Sequence, residues 1–225
     1  MAVWLVRAGA QGQYEQKFLQ ENRIYLTWDD LNISLDSFQE RTELIAQMER
    51  LYGDKKPKRL TNHASQIWPF AHAMKEGDRV ILPSKTQPLI YVGKITSGYQ
   101  HQSDADNPYF HWRSVEWEAN GLPRSHFSQD LLYSFGAFMT VCRIKRNNAE
   151  QRLENMAASG WQAETQKQVV KSATVTAVEN DDDASDEHAD TDLEELGHSQ
   201  IIKLIEARFK GHNLTQIARP VSENR

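Results

Sequence analysis

Short apolar bursts separated by turn residues dominate the N-terminal part of the chain. Val3-Trp4-Leu5-Val6 is a β-type run that stops at Ala8-Gly9-Ala10-Gln11-Gly12. Tyr14, Phe18 and Leu19 have helical spacing and predict a helix over 14–22, followed by a strand Ile24-Tyr25-Leu26-Thr27-Trp28. Phe38, Leu44, Ile45, Met48, Leu51 and Tyr52 share one helical face, which predicts a helix over 37–52 with Gly53 as its C-cap. A basic loop around Pro57 comes next, then a helix over 62–75 closed by Gly77. Arg79-Val80-Ile81-Leu82 and 89–95 form a hairpin whose loop is framed by Pro83 and Pro88, two residues with a fixed φ that stiffen it. The alternation of 111–118 predicts another strand, 127–135 a helix, 138–144 a strand, and Asn147 or Asn148 the cap of a last helix ending near Gly160. This mixed order predicts an α+β fold: a small curved sheet or pseudo-barrel with flanking helices.

The pattern changes after residue 160. Ser172 to Ile202 holds no Lys or Arg but contains Asp181-Asp182-Asp183, Asp186-Glu187 and Glu194-Glu195. Like-charge density with so few large apolar residues predicts an acidic disordered linker over 161–197. Ile201, Ile202, Leu204, Ile205 and Phe209 then mark a short amphipathic helix within a third segment, 198–225.

Charge sharpens this division. Residues 1–160 carry 19 Lys+Arg and 18 Asp+Glu, a net of +1, whereas 161–225 carry 7 and 13, a net of -6. The overall -5 therefore hides a neutral domain, and the broad basic footprint of many DNA-binding proteins is absent. Any nucleic-acid contact must come from a local patch. The one cysteine, Cys142, excludes an internal disulfide and a Cys-based zinc cluster. His63, His72, His101, His111 and His126 have no metal-ligand spacing, so neither a metal nor a cofactor is expected. No apolar run reaches a membrane span and none at the N-terminus resembles a signal peptide, which predicts a cytoplasmic protein with no membrane partner.

Three segments carry a resemblance: Val3-Trp4-Leu5-Val6-Arg7-Ala8-Gly9; Gln66-Ile67-Trp68 with Met74-Lys75-Glu76-Gly77-Asp78, Pro83-Ser84-Lys85-Thr86 and Val92-Gly93-Lys94-Ile95; and the run 127–144, Phe127 to Ile144. Together they resemble the N-terminal EVE/PUA-like region of Mrr-like, modification-dependent restriction endonucleases over about residues 1–155, and 201–212 is similar to the first helix of that family's nuclease domain. The resemblance implies a DNA-recognition module that binds modified duplex by flipping a base, with RNA binding as the alternative because PUA-like folds also take RNA. The family's PD-(D/E)xK nuclease needs two acids and a Lys around a divalent metal. Glu15-Gln16-Lys17 has the E-x-K form, but no Asp precedes it. The expectation is therefore no catalytic residue in this chain, as for a family member truncated before its nuclease domain, with a nuclease acting in trans as a possible partner.

A flipped base needs aromatic faces to stack on and polar groups for its edge and backbone. Trp4 and Trp68 are candidates through the resemblance, and Trp112 with Arg113 beside it follows; core packing is the competing role for each aromatic. Ser84, Lys85 and Thr86 put two hydroxyls and an ammonium on the stiff hairpin loop, a set suited to phosphate contacts. Lys55, Lys56, Lys58 and Arg59 form the densest basic run. Asp130 serves either a base edge or an arginine such as Arg143.

Overall fold

The computed structural model describes residues 1–53 and 57–164. Its strands are β1 (Val3–Val6), β2 (Arg23–Tyr25), β3 (Arg79–Pro83), β4 (Leu89–Ile95), β5 (Gln100–His101), β6 (His111–Trp117), β7 (Leu122–Pro123) and β8 (Val141–Arg143). The helices are α1 (Glu15–Gln20), α2 (Arg41–Tyr52), α3 (Pro57–His72), α4 (Gln129–Phe135) and α5 (Ala149–Ala158). The strands make one strongly curled, half-barrel sheet in the order β2-β6-β4-β3-β1-β8, with β5 added to β6 and β7 to β4. β1 runs parallel to β3 (Trp4 opposite Val80), and the remaining pairs are antiparallel.

Every residue of β1 and β3 is buried, because helices cover both faces of the sheet at these central strands. Alternate residues then serve two cores. Trp4, Val6, Val80 and Leu82 meet Phe18 of α1, Leu44 and Met48 of α2, and Ile67 and Phe70 of α3. Val3, Leu5, Ile81 and Val92 meet Leu131 and Phe135 of α4 and Leu153 and Met156 of α5. The folded body continues past residue 160: Trp161 packs into the second core, and Glu164 pairs with Arg152.

Several boundaries differ from the sequence expectation, three of them for a local reason. β2 ends at Tyr25 rather than Trp28, since the chain leaves β6 there. α2 begins at Arg41, not Ser37; the Glu43 carboxylate accepts the backbone N–H groups of Gln39 (2.7 Å) and Glu40 (3.4 Å) and so fixes the start, after a 3-10 turn at Leu35–Ser37. α3 begins at Pro57, where a missing N–H costs nothing in a first helical turn, so Lys58 and Arg59 are helical rather than loop residues. The strand expected over 138–144 shrinks to Val141–Arg143. Lys55 and Lys56, the acidic segment beyond Glu164 and the helix expected at 201–212 lie outside the described residues.

Candidate functional site

Where the curled sheet fails to close, its two margins face a cleft of about 340 Å³. Thr27, Trp28 and Asp29, just past β2, form one wall, and Thr140, just before β8, lies on the other margin. The β1–α1 turn adds Gly9, Ala10, Gln13 and Tyr14, while Tyr52 from the end of α2 and His63 from α3 complete the lining.

Each aromatic wall is held in place. Trp28 donates its indole N–H to His63 Nδ1 at 3.3 Å, and the two rings meet edge-on with centroids 5.8 Å apart. Tyr52 donates its hydroxyl to the Asp29 carbonyl at 2.7 Å. Burial, reinforced by the carboxylates of Asp30 and Asp29, pushes the Tyr52 pKa up to about 12, so it remains a neutral donor at physiological pH. Tyr14 meets Tyr109 edge-on at 5.6 Å. The Thr140 N–H donates to Gln66 Oε1 (2.7 Å), and the buried Gln66 amide is itself held by Asn62 Oδ1 (2.8 Å), which ties the β8 margin to α3. Arg59, one turn before His63 on the same face of α3, is exposed. The cleft thus combines four rings with an amide, hydroxyls and a carboxylate: surfaces for stacking and partners for a polar edge.

A buried relay supports the segment after Trp28. Leu35 N–H donates to the Tyr99 hydroxyl (3.0 Å), which lies 2.6 Å from His111 Nδ1, and His111 Nε2 lies 2.6 Å from the Leu31 carbonyl. A carbonyl only accepts, so the proton of the neutral ring sits on Nε2 and Tyr99 donates to Nδ1.

None of the residues expected from sequence to touch a nucleic acid lines this cleft, and several are placed in other work. Trp4 is 4% exposed and donates its indole N–H to Asp78 Oδ2 at 3.0 Å; a ring so buried offers no face to a base. Arg113, 2% exposed, gives its guanidinium to the carbonyls of Phe70, Ala71 and Ser97, tying β6 to the end of α3. Trp68 stacks on His72 at 3.7 Å and sits five residues after His63, about 140° around the helix axis and hence away from the cleft. Trp112 lies under the Arg23 guanidinium, 3.9 Å from its ring centroid.

The hairpin loop turns its hydroxyls inward. Ser84 (2.8 Å) and Thr86 (3.4 Å) donate to Oε1 of Glu15, and Lys85 N–H points to Glu15 Oε2 at 3.3 Å. Glu15, the acid of the E-x-K triplet, is therefore a buried tether rather than a metal ligand. Lys85 is exposed, as are Thr86, Gln87 and Pro88 after it, and its stem lies against the turn that walls the cleft: a Cβ on Gly12 would come within 2.9 Å of Lys85 Cβ, and Gly12 has φ +76°. Asp130 holds Arg152, not Arg143, whose partner is Glu150.

Sequence reading missed Gln13, Tyr14, Tyr52, His63 and Thr140 as site residues. They lie on four separate stretches of chain, so no local motif joins them; Trp28 was visible only as one aromatic among many.

The fold and cleft define an α+β domain with a half-barrel sheet and an aromatic, polar-edged cleft at its open seam. The chain belongs to the family described as a domain of unknown function (DUF8426), whose model matches residues 4–145 and so spans every cleft residue. No curated protein matches the chain, and no solved structure does. Among the described residues no group of His, Cys, Asp and Glu is placed to hold a metal, and no helix is long and apolar enough to cross a membrane.

Proposed function

We propose that this domain reads DNA by taking a single, modified base out of the duplex into the Trp28–His63 cleft. The observation that carries the reading is the convergence of Tyr14, Trp28, Tyr52 and His63 with Gln13, Thr27, Asp29 and Thr140 in one surface cleft of about 340 Å³. That volume is at the lower end of small-ligand sites, as suits one heterocycle rather than an extended ligand. Flipped bases are held by stacking on rings and by hydrogen bonds to their polar edge, the two kinds of group this cleft offers. Lys85 and Arg59, exposed near its walls, suit the flanking phosphates. On this reading the curled sheet is PUA/EVE-like, and the domain is the recognition part of an Mrr-like restriction system, cleavage being the task of a nuclease domain.

The test is binding to matched duplexes carrying 5-methylcytosine, 5-hydroxymethylcytosine or N6-methyladenine, against plain duplex and RNA of the same sequence. Binding to one modified duplex above plain duplex is expected. Trp28→Ala should cost roughly 1–3 kcal/mol of that affinity, the contribution of one base–aromatic stack. Equal affinity for modified and plain duplex, or tighter binding to RNA, would remove the proposal.

A further inference from the structure

We infer that Phe138 is the wedge that enters the duplex in place of the extruded base, an inference that rests on the base-reading proposal. Phe138 is 85% exposed, while Phe135 three residues earlier is 2% exposed and Val141 three residues later is fully buried. Phe18, Phe70, Phe110 and Phe127 are likewise buried. Between the buried Phe135 and Val141 the chain runs along the surface, with Gly136 exposed and Ala137, Met139 and Thr140 half-buried, and Phe138 there forgoes the burial gain that the other phenylalanines named collect.

The loop that presents it is braced. Arg7 donates through Nε to the Ala137 carbonyl at 2.9 Å and through Nη2 to the same oxygen, and its backbone N–H bonds the Thr140 carbonyl at 2.8 Å. Thr140 N–H is in turn fixed by Gln66 Oε1 at 2.7 Å. Residues 137 and 140 are thus anchored on either side of Phe138. Thr140 lines the cleft, and two residues of chain span at most about 7 Å, so the Phe138 backbone lies beside the cleft mouth. Proteins that unstack DNA insert apolar side chains such as Phe between base steps. An exposed Phe on a braced loop next to a base-sized cleft has the position and the chemistry for that role.

The experiment compares wild type, Phe138→Ala and Trp28→Ala on the preferred modified duplex and on the same duplex with an abasic site opposite the modified base. The opposed abasic site removes the pair that a wedge helps to break. Phe138→Ala should weaken binding to the paired duplex by roughly tenfold yet leave the abasic-opposed duplex within about twofold of wild type. Trp28→Ala should weaken both. Because Phe138 is outside the core, its variant should melt with wild type, which separates the effect from misfolding. Unchanged affinity of Phe138→Ala for the paired duplex, or an equal loss on both duplexes, overturns the wedge while leaving the cleft standing. Failure of wild type to prefer any modified duplex overturns the base-reading proposal, and the wedge with it.

Discussion

At the scale of single residues, burial decides chemistry. His111 is fully buried, and desolvation pushes its pKa down to about 4 despite the Leu31 carbonyl. An unfolded histidine titrates near 6.5, so as pH falls the unfolded chain takes up this proton first. The contribution is complete above about pH 6.5 and is lost progressively down to about 4, where the loss reaches on the order of 3 kcal/mol. Urea unfolding at pH 7 and pH 4.5 should therefore show a smaller acid-induced loss of stability in His111→Gln than in wild type. The same loss in both proteins would mean that other groups govern acid sensitivity. The relay also shows why this histidine resisted functional reading: its neighbours Trp112 and Arg113 suggest a binding cluster in sequence, yet β6 sends His111 and Arg113 inward to backbone carbonyls.

Elements are joined by a few buried charges, and the strongest case lies beneath α4. Arg152 of α5, 3% exposed, reaches Asp130 of α4 (2.6 Å) and Glu164 (2.6 Å), and Glu164 is itself 3% exposed. The Arg152 hydrogen bond holds the Asp130 carboxyl down at about 2. Removing Arg152 leaves a buried carboxylate without its cation, so Arg152→Ala should cost about 3–5 kcal/mol in chemical denaturation. A loss under 1 kcal/mol would show that water reaches Glu164. Elements were the most legible level in the sequence. The β3–β4 hairpin appears as expected because Pro83 and Pro88 delimit it, and α2 ends at Tyr52 with Gly53 as its C-cap, as its stripe predicts. The misread margins coincide with the site. Thr27 and Trp28 favour strands by propensity, yet they wall the cleft, and Phe138 reads as strand but stands on an exposed loop. Pattern alone does not separate a ring that pairs in a sheet from one that lines a cavity, because both sites are half-buried.

For the molecule as a whole, charge sets the style of contact. With residues 1–160 at +1 and the full chain at -5, long-range attraction to a polyanion is weak, so on the proposed reading recognition would depend on what the cleft touches. The rim has a further consequence through its connectivity. β2 and β8 are opposite ends of the strand order and share no ladder hydrogen bond, yet Thr27–Asp29 follows one and Thr140 precedes the other. On the proposed reading, a base lodged between them would act as a clasp across the gap, and its binding energy would suppress the opening of both margins at once. Hydrogen exchange would register this as joint slowing of the amides of 23–25 and 141–143 on saturation with modified duplex, while the amides of β3, already enclosed by β1 and β4, change little. Slowing at one margin alone would mean that the occupant rests on a single wall. Such a clasp makes the native state tighter when loaded than when empty, and the least protected strands become reporters of occupancy.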